Sequence, residues 1–389
     1  MENPPYLSLM DVTNRSFNRG FLPPEDPLER LPQPFDPWEQ TADILSKLAL
    51  TTYIRPEIKD LPPFPVQDLK SLDEYERAMS LLSFMANLYV FAPDHQIVQM
   101  IPKILAVPWQ KVGQALGRPP MLTYASQVMY NWKRICRDDP VKLGNLVMNQ
   151  NFLGGMDEEW FVTVHINIEA ATGKVLSKLI SAQEAIKNGD VDQVTHTLSI
   201  LSETLREMYQ ILLRMPERCN PDTYYHRVRP YMFGWKNNPD LSEGMIYEGV
   251  ESYGGKPQHF RGESGAQSSI IYAFDGFLGI EHDFDEMRAY LMEMRLYMPI
   301  QDRHFIEVVE RGPSLRKFLN NNNEKRLIKA YNESIEALYD FRKLHIEYAA
   351  MYIIKPAQKE KKGAVGTGGT PFTVYLKKHI DETLKHIIR

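Results

Sequence analysis

Two polar side chains, Arg342 and His345, interrupt an apolar face late in the chain. Apolar residues recur around them at spacings of three or four, the period of an amphipathic helix, at Leu327, Tyr331, Ile335, Leu338, Ala349 and Tyr352. An inward cation and imidazole need partners because unpaired buried polar groups are costly. One interpretation is a core histidine bonded to a backbone carbonyl beside a salt-bridged arginine. The other is an iron porphyrin, with the iron on the imidazole and a propionate on the guanidinium. Spacing alone favours the first.

A second histidine, His165, also takes an inward helical position among apolar neighbours, on the face that carries Phe161. Further along, Tyr225 and Arg229 stand one turn apart on a predicted short helix. Aromatic surface beside a guanidinium suits a flat ring that bears a carboxylate. The more common alternative is an interior aromatic cluster next to a surface arginine.

Other site chemistries are disfavoured by spacing. His345 and Glu347 are two positions apart on a helix, so they point to nearly opposite sides and cannot share one ion. The sequence contains no Glu-x-x-His, His-Glu-x-x-His or Gly-x-Ser-x-Gly motif. Glycine-rich residues 366–370 match neither the P-loop nor the dinucleotide fingerprint, and we interpret them as a lid. Among metal and nucleophile chemistries, an axially ligated haem remains.

The elements that must position these residues are predicted to be helical. Residues up to Pro37 form an extended arm, and helices follow at Trp38–Leu50, Leu69–Phe91, Glu158–Asn188, Val191–Met215, Gln267–Ile280, Asn323–Ile354 and Phe372–Ile388. Gly189 joins the third and fourth, and Pro356 is expected to end the long helix after Ile354. The prediction is an all-α fold in two domains, an arm with a small helical domain over residues 1–154 and a large helical domain over 155–389.

Composition narrows the class further. The chain has 389 residues, two distant cysteines and a formal net charge of -5. These values predict neither a disulfide framework nor nucleic acid as the main partner. The start lacks a basic segment followed by an apolar one, and no run is long enough to span a bilayer, so we expect a cytoplasmic protein without a membrane partner. A monomer is expected, with an oligomer as the alternative.

Four ordered motifs carry a family resemblance. They are residues 229–239 with 244–249, Ser264 to Ser269 leading into Phe274-Asp275, Arg342 to His345, and residues 366–370. Together they extend over most of the chain after about Tyr124, and the order makes the match more specific than any one motif. In these motifs the chain resembles the indoleamine 2,3-dioxygenase family.

The resemblance implies haem b held between long helices of the larger domain, and opening of the indole pyrrole ring by dioxygen. L-tryptophan or a related indoleamine would give N-formylkynurenine, with an electron donor keeping the iron ferrous. The site residues would be His345 as the iron ligand, Arg342 at a propionate, Arg229 at the substrate carboxylate, Phe161 and Tyr225 beside the ring, Tyr124 in the distal pocket, Ser264 and Gly265 near the substrate, and Thr367 and Gly368 closing over it.

Two departures from the family pattern lie in the pocket. His165 stands where the well-known vertebrate members have serine, which makes it the candidate catalytic residue, as acceptor or donor or as a group that only shapes the pocket. Tyr224 and Tyr225 stand where those members have phenylalanine. Two alternatives to the dioxygenase therefore stay open: a haem monooxygenase of a substituted indole, and a non-catalytic haem- or gas-binding protein.

Overall fold

The computed structural model describes residues 16–92, 96–360, 366–369 and 372–388. Over these residues the fold is all-α, as predicted, with two small sheets of two strands each. The first 15 residues of the predicted arm lie outside the described part. Residues 16–32 contain no helix, and the first helical turn within the described residues spans Gln33–Phe35.

The first third of the described chain contains five α-helices and three short strands. Its elements are α1 (Asp36–Asp43), α2 (Leu45–Leu48), α3 (Ile54–Lys59), α4 (Leu72–Val90), β1 (Met100–Ile101), α5 (Lys103–Leu116), β2 (Trp132–Arg134) and β3 (Leu146–Met148). Strands β2 and β3 pair antiparallel. The N-cap Ser71 starts α4 by accepting from Glu74 N, two residues after the predicted start.

The remaining elements surround a long central helix. They are α6 (Met156–Ala171), α7 (Leu176–Asn188), α8 (Val191–Leu213), α9 (Pro221–Thr223), β4 (Ile246–Tyr247), α10 (Ile270–Leu278), α11 (Glu286–Met294), α12 (Ile300–Arg311), α13 (Leu315–Asn322), α14 (Lys325–Ala349), α15 (Lys355–Lys359) and α16 (Phe372–Leu384). Strand β4 pairs parallel with β1. Helix α14 packs mainly against α8 and also against α16.

The end of the long helix differs from the prediction. After α14 the chain makes one wide π-helical turn over Ala350–Ile354 and continues as α15, so the expectation that Pro356 ends the helix is wrong. Pro356 lies in the first turn of α15, where a helix tolerates its missing N–H. The apolar stripe is confirmed: Leu327 and Leu338 are fully buried.

The predicted hairpin is present, but its first arm is interrupted. Helix α6 ends at Ala171, and a 3-10 turn over Thr172–Lys174 separates it from α7. At this point the backbone of Asn18 comes so close that a Cβ on Gly173 would lie 2.3 Å from the Asn18 carbonyl oxygen. The end of α6 therefore lies in close contact with the arm. Gly189 caps α7 at φ +75°, as predicted.

One continuous core contains buried side chains from both sides of residue 154, among them Phe152 and Tyr231, whose ring centroids lie 5.0 Å apart. The division into two domains at this position stays a prediction. Among the residues that the structure describes, no helix is both long and apolar enough to cross a bilayer.

Candidate active site

A cavity of about 750 Å³ is lined by residues of α6, α8, α10 and α14. Its size lies in the range of small-molecule and cofactor pockets. Most of the predicted site residues line it, namely Tyr124, Phe161, His165, Ser264, Gly265, Arg342, His345 and Thr367. Segments that are far apart in the chain therefore meet at one place.

His345 projects from α14 into this cavity. Its side chain is exposed to the cavity, yet it is enclosed by protein: burial, with a smaller contribution from His165, lowers the pKa of His345 to about 4. No described residue forms a hydrogen bond with its ring in the structure. A purely structural histidine would bond a carbonyl, whereas this neutral imidazole offers a nitrogen lone pair to the cavity.

Arg342, one turn before His345, has protein partners. Its Nη2 lies 2.5 Å from Asp275 Oδ2 and its Nη1 donates to Thr383 Oγ1 at 2.6 Å. Although burial opposes ionisation, Arg342 and His282 hold the pKa of Asp275 below its ordinary value. The interpretation of Arg342 as a salt-bridged arginine is therefore sufficient to explain its position. Because Arg342 and Asp275 both line the cavity, contact with a propionate stays a prediction.

Next to this ion pair lie two stacked histidines, His282 and His379. Their ring centroids are 4.1 Å apart with the planes within 8° of parallel, and His282 Nδ1 lies 2.7 Å from Glu382 Oε2. With Glu382 they bring three potential ligand atoms within 4.8 Å. A metal binds an imidazole nitrogen along its in-plane lone pair, and one ion cannot lie in both planes of a stacked pair. The cluster is not arranged as a metal centre.

Part of the cavity wall is aromatic. Phe161 packs against His165 and against Tyr224, each at 4.6 Å between ring centroids. Tyr124 meets His165 edge to face at 6.2 Å. Tyr124 is almost fully buried, and its pKa is raised well above the ordinary value by burial and then by Glu169. The phenol is therefore a neutral group in this wall.

Residues 366–369 of the glycine-rich loop are held against the cavity, and Thr370 lies outside the described residues. Thr367 Oγ1 donates to the Glu263 carbonyl oxygen at 2.5 Å, and Arg261 Nη1 donates to the Gly368 carbonyl oxygen at 2.6 Å. A Cβ on Gly368 would lie 2.5 Å from Tyr290 Oη. The close approach explains why a residue without a side chain stands there.

Three predicted residues are not among those that line the cavity: Tyr225, Arg229 and Gly368. Arg229 is buried, with its Cζ 5.3 Å from the Tyr225 ring centroid and 4.6 Å from that of Phe233. The one-turn contact between Tyr225 and Arg229 is confirmed. Of the tyrosine pair, Tyr224 faces the cavity, because the segment Tyr224–Val228 forms a π-helical turn.

Two buried carboxyl groups near the site were not singled out from the sequence. Glu169 follows His165 by four residues on α6, is fully buried and accepts from Ser268 Oγ at 2.7 Å. That helical spacing was the available signal. Glu263 lies in a segment that the sequence identifies only as small and polar. The feature that could have identified it is a charged side chain between Gly262 and Ser264.

The chain is similar to known proteins over nearly its whole length. Residues 14–386 match the family model described as Indoleamine 2,3-dioxygenase. The chain is 33% identical to indoleamine 2,3-dioxygenase 1 of Rattus norvegicus, over 95% of this chain and 93% of that protein. It is 33% identical to indoleamine 2,3-dioxygenase nanC of Aspergillus nanangensis, over 98% and 97%.

A third relative carries a more specific name. The chain is 32% identical to the 6-hydroxytryptophan 2,3-dioxygenase fscD of Fusarium equiseti, over 93% of this chain and 94% of that protein. Since the family model and these relatives each extend over nearly the whole chain, the chain belongs to the indoleamine 2,3-dioxygenase family and is a dioxygenase.

Proposed function

We propose that this dioxygenase uses haem b and opens the pyrrole ring of L-tryptophan or a related indoleamine with O₂, giving N-formylkynurenine or its analogue. The observation that carries the proposal is the His345 imidazole, which faces a cavity of about 750 Å³ without a protein hydrogen-bond partner among the described residues. Such a neutral nitrogen donor suits an iron ligand.

The residues around His345 fit a porphyrin. Apolar side chains that line the cavity would contact the porphyrin: Met208, Leu212, Phe341, Ile346 and Ile353. Arg342, at the end of the cavity near Asp275, would meet a propionate in charge-assisted hydrogen bonds. When bound and reduced by an electron donor, the haem supplies the activation of O₂.

The chain's own residues position the indole and exclude water. Phe161 and Tyr224, whose rings are tilted against each other, offer aromatic surface. His165 donates its Nδ1 proton to the Phe161 carbonyl oxygen at 2.7 Å, which leaves Nε2 as a hydrogen-bond acceptor. That atom would receive the indole N–H. Thr367, bonded to the Glu263 backbone, closes this side of the cavity.

The decisive experiment incubates the reduced protein with L-tryptophan and follows the absorbance of N-formylkynurenine. A Soret band of about one haem per chain is expected first. Both atoms of isotopic dioxygen should enter the product, since a single labelled atom would identify the monooxygenase alternative. Haem binding without turnover of any indole would identify the non-catalytic alternative. Because one relative is named for 6-hydroxytryptophan, hydroxylated tryptophan belongs in the same assay.

A further inference from the structure

Glu263 is a buried carboxyl group in the cavity wall that the proposed reaction does not use. It is 3% exposed. Its backbone is fixed at both ends, because its N–H donates to the Met232 carbonyl oxygen at 3.1 Å and its own carbonyl accepts from Thr367 at 2.5 Å. The neighbouring backbone is packed so tightly that a Cβ on Gly262 would lie 2.3 Å from Gly234 N. The side chain therefore has little freedom to leave the cavity.

The carboxyl of Glu263 has no ionic or hydrogen-bond partner among the described residues. Burial raises its pKa to about 8, and no interaction offsets that rise. The other cavity carboxylates differ. Asp275 and Glu310 are each paired with an arginine, and Glu281 is exposed. A ligand in the cavity would therefore supply the hydrogen bonds and the charge that the described residues do not give to the ionised carboxyl group of Glu263.

The position of Glu263 relates it to the aromatic wall. Its charge contributes to raising the pKa of both Tyr124 and Tyr224, so the carboxyl lies within electrostatic reach of both phenols. Tyr224 packs against Phe161, and these two rings form the surface proposed for the indole ring. A substituent on an indole bound there would be close to Glu263.

We propose that Glu263 is a specificity-determining residue that accepts hydrogen bonds from the protonated side-chain amine of the substrate. This inference rests on the proposed function, because it assumes that indoles enter the cavity. A primary ammonium supplies the charge and the donors that a buried carboxylate lacks, whereas a carboxylate in the same place would be repelled. The substrate class is therefore indoles with a protonated primary amine, and indole acids without the amine are disfavoured.

The test compares two ligands that differ in this group, tryptamine and indole-3-propionate, by equilibrium dialysis against the haem-loaded protein at pH 9, where the carboxyl group of Glu263 is ionised. Glu263→Gln keeps the shape of the side chain and removes its charge. This substitution should weaken the binding of tryptamine by about 10- to 100-fold, and indole-3-propionate should bind as before or more tightly. Glu263→Asp keeps the charge and should retain the preference for the amine.

Glu203→Gln is the control, because it removes a carboxyl group from an exposed side chain of α8 that does not line the cavity and should leave the ratio of the two affinities unchanged. Equal changes for both ligands in Glu263→Gln, or no change for either, would overturn the assignment. Binding needs no turnover. A parent protein that prefers tryptamine through Glu263 but gives no ring-opened product would refute the proposed reaction and leave this inference standing.

Discussion

His165 Nδ1 lies 2.7 Å from the carbonyl oxygen of Phe161, one turn earlier on α6. A carbonyl oxygen only accepts, so Nδ1 carries the proton and Nε2 is the acceptor of the neutral ring. Burial lowers the pKa of His165, which keeps the ring neutral at pH 7. The rings of the same two residues pack with their centroids 4.6 Å apart. One backbone bond thus fixes both the aromatic surface and the acceptor beside it.

The first prediction concerns that acceptor. If Nε2 receives the indole N–H, His165→Ala should lower kcat/KM for L-tryptophan more than for 1-methyl-L-tryptophan, which has no N–H to donate. Expressed as activation free energy, the difference between the two losses should be about 1 to 2 kcal/mol. Parallel rate measurements on the two substrates give the difference. An equal loss for both would mean that His165 only shapes the pocket.

The second prediction separates the two histidines of the cavity. His345→Ala should lose the Soret band and turnover, and added imidazole should partly restore the band by filling the vacated space. His165→Ala should keep its haem. His196→Ala, on the exposed side of α8, serves as the control. Loss of haem from His165→Ala with retention in His345→Ala would reverse the proposed sides of the porphyrin.

The third prediction tests Arg229, which is buried against Phe233 and Tyr225. If it binds the substrate carboxylate, Arg229→Ala should weaken use of L-tryptophan by about 2 to 5 kcal/mol and leave unsubstituted indole unaffected. The Soret spectrum should not change. Arg227→Ala, two residues away and exposed, should behave like the parent. A similar loss for indole would assign Arg229 a packing role.

The fourth prediction concerns the close contact under the loop. Gly368→Ala places a methyl group 2.5 Å from Tyr290 Oη, so the loop should be displaced and KM should rise. In the double variant with Tyr290→Phe the nearest remaining ring atoms lie 3.3 Å away, and much of the affinity should return. If Tyr290→Phe rescues nothing, the loop is not held against this ring.

The fifth prediction follows from the pKa of Glu263, raised by burial from 4.5 to about 8. The folded state binds this proton more tightly than the unfolded state, so stability is lost as pH rises from about 4.5 towards 8. Without indole ligand, Glu263→Gln should therefore be more stable than the parent at pH 9 by about 2 to 4 kcal/mol and similar at pH 4. Tyr124 and Tyr224, the ionisable neighbours, have raised pKa values and do not titrate in this window.

Urea unfolding at the two pH values measures this difference, and titrations shared by both proteins cancel in it. A constant difference between parent and variant at pH 4 and pH 9 would show that Glu263 ionises as freely as a surface carboxyl group.

The sequence by itself determined the helical class, the apolar stripe of α14 and the family, because these depend on local periodicity and on the order of short motifs. It also placed Arg342 and His345 on one face, since residues three apart on a helix share a side. The hairpin joint at Gly189 was equally local, because the left-handed backbone conformation favours glycine.

Only the tertiary structure decided what these side chains meet. Whether His345 bonds a carbonyl or faces a cavity depends on helices distant in the chain, and the same holds for the pairing of Arg342 with Asp275. The close contact of Asn18 with the interruption after Ala171 also joins segments that are distant in the chain. The isolation of the Glu263 carboxyl likewise follows from burial, and burial is a property of packing that spacing along the chain does not contain.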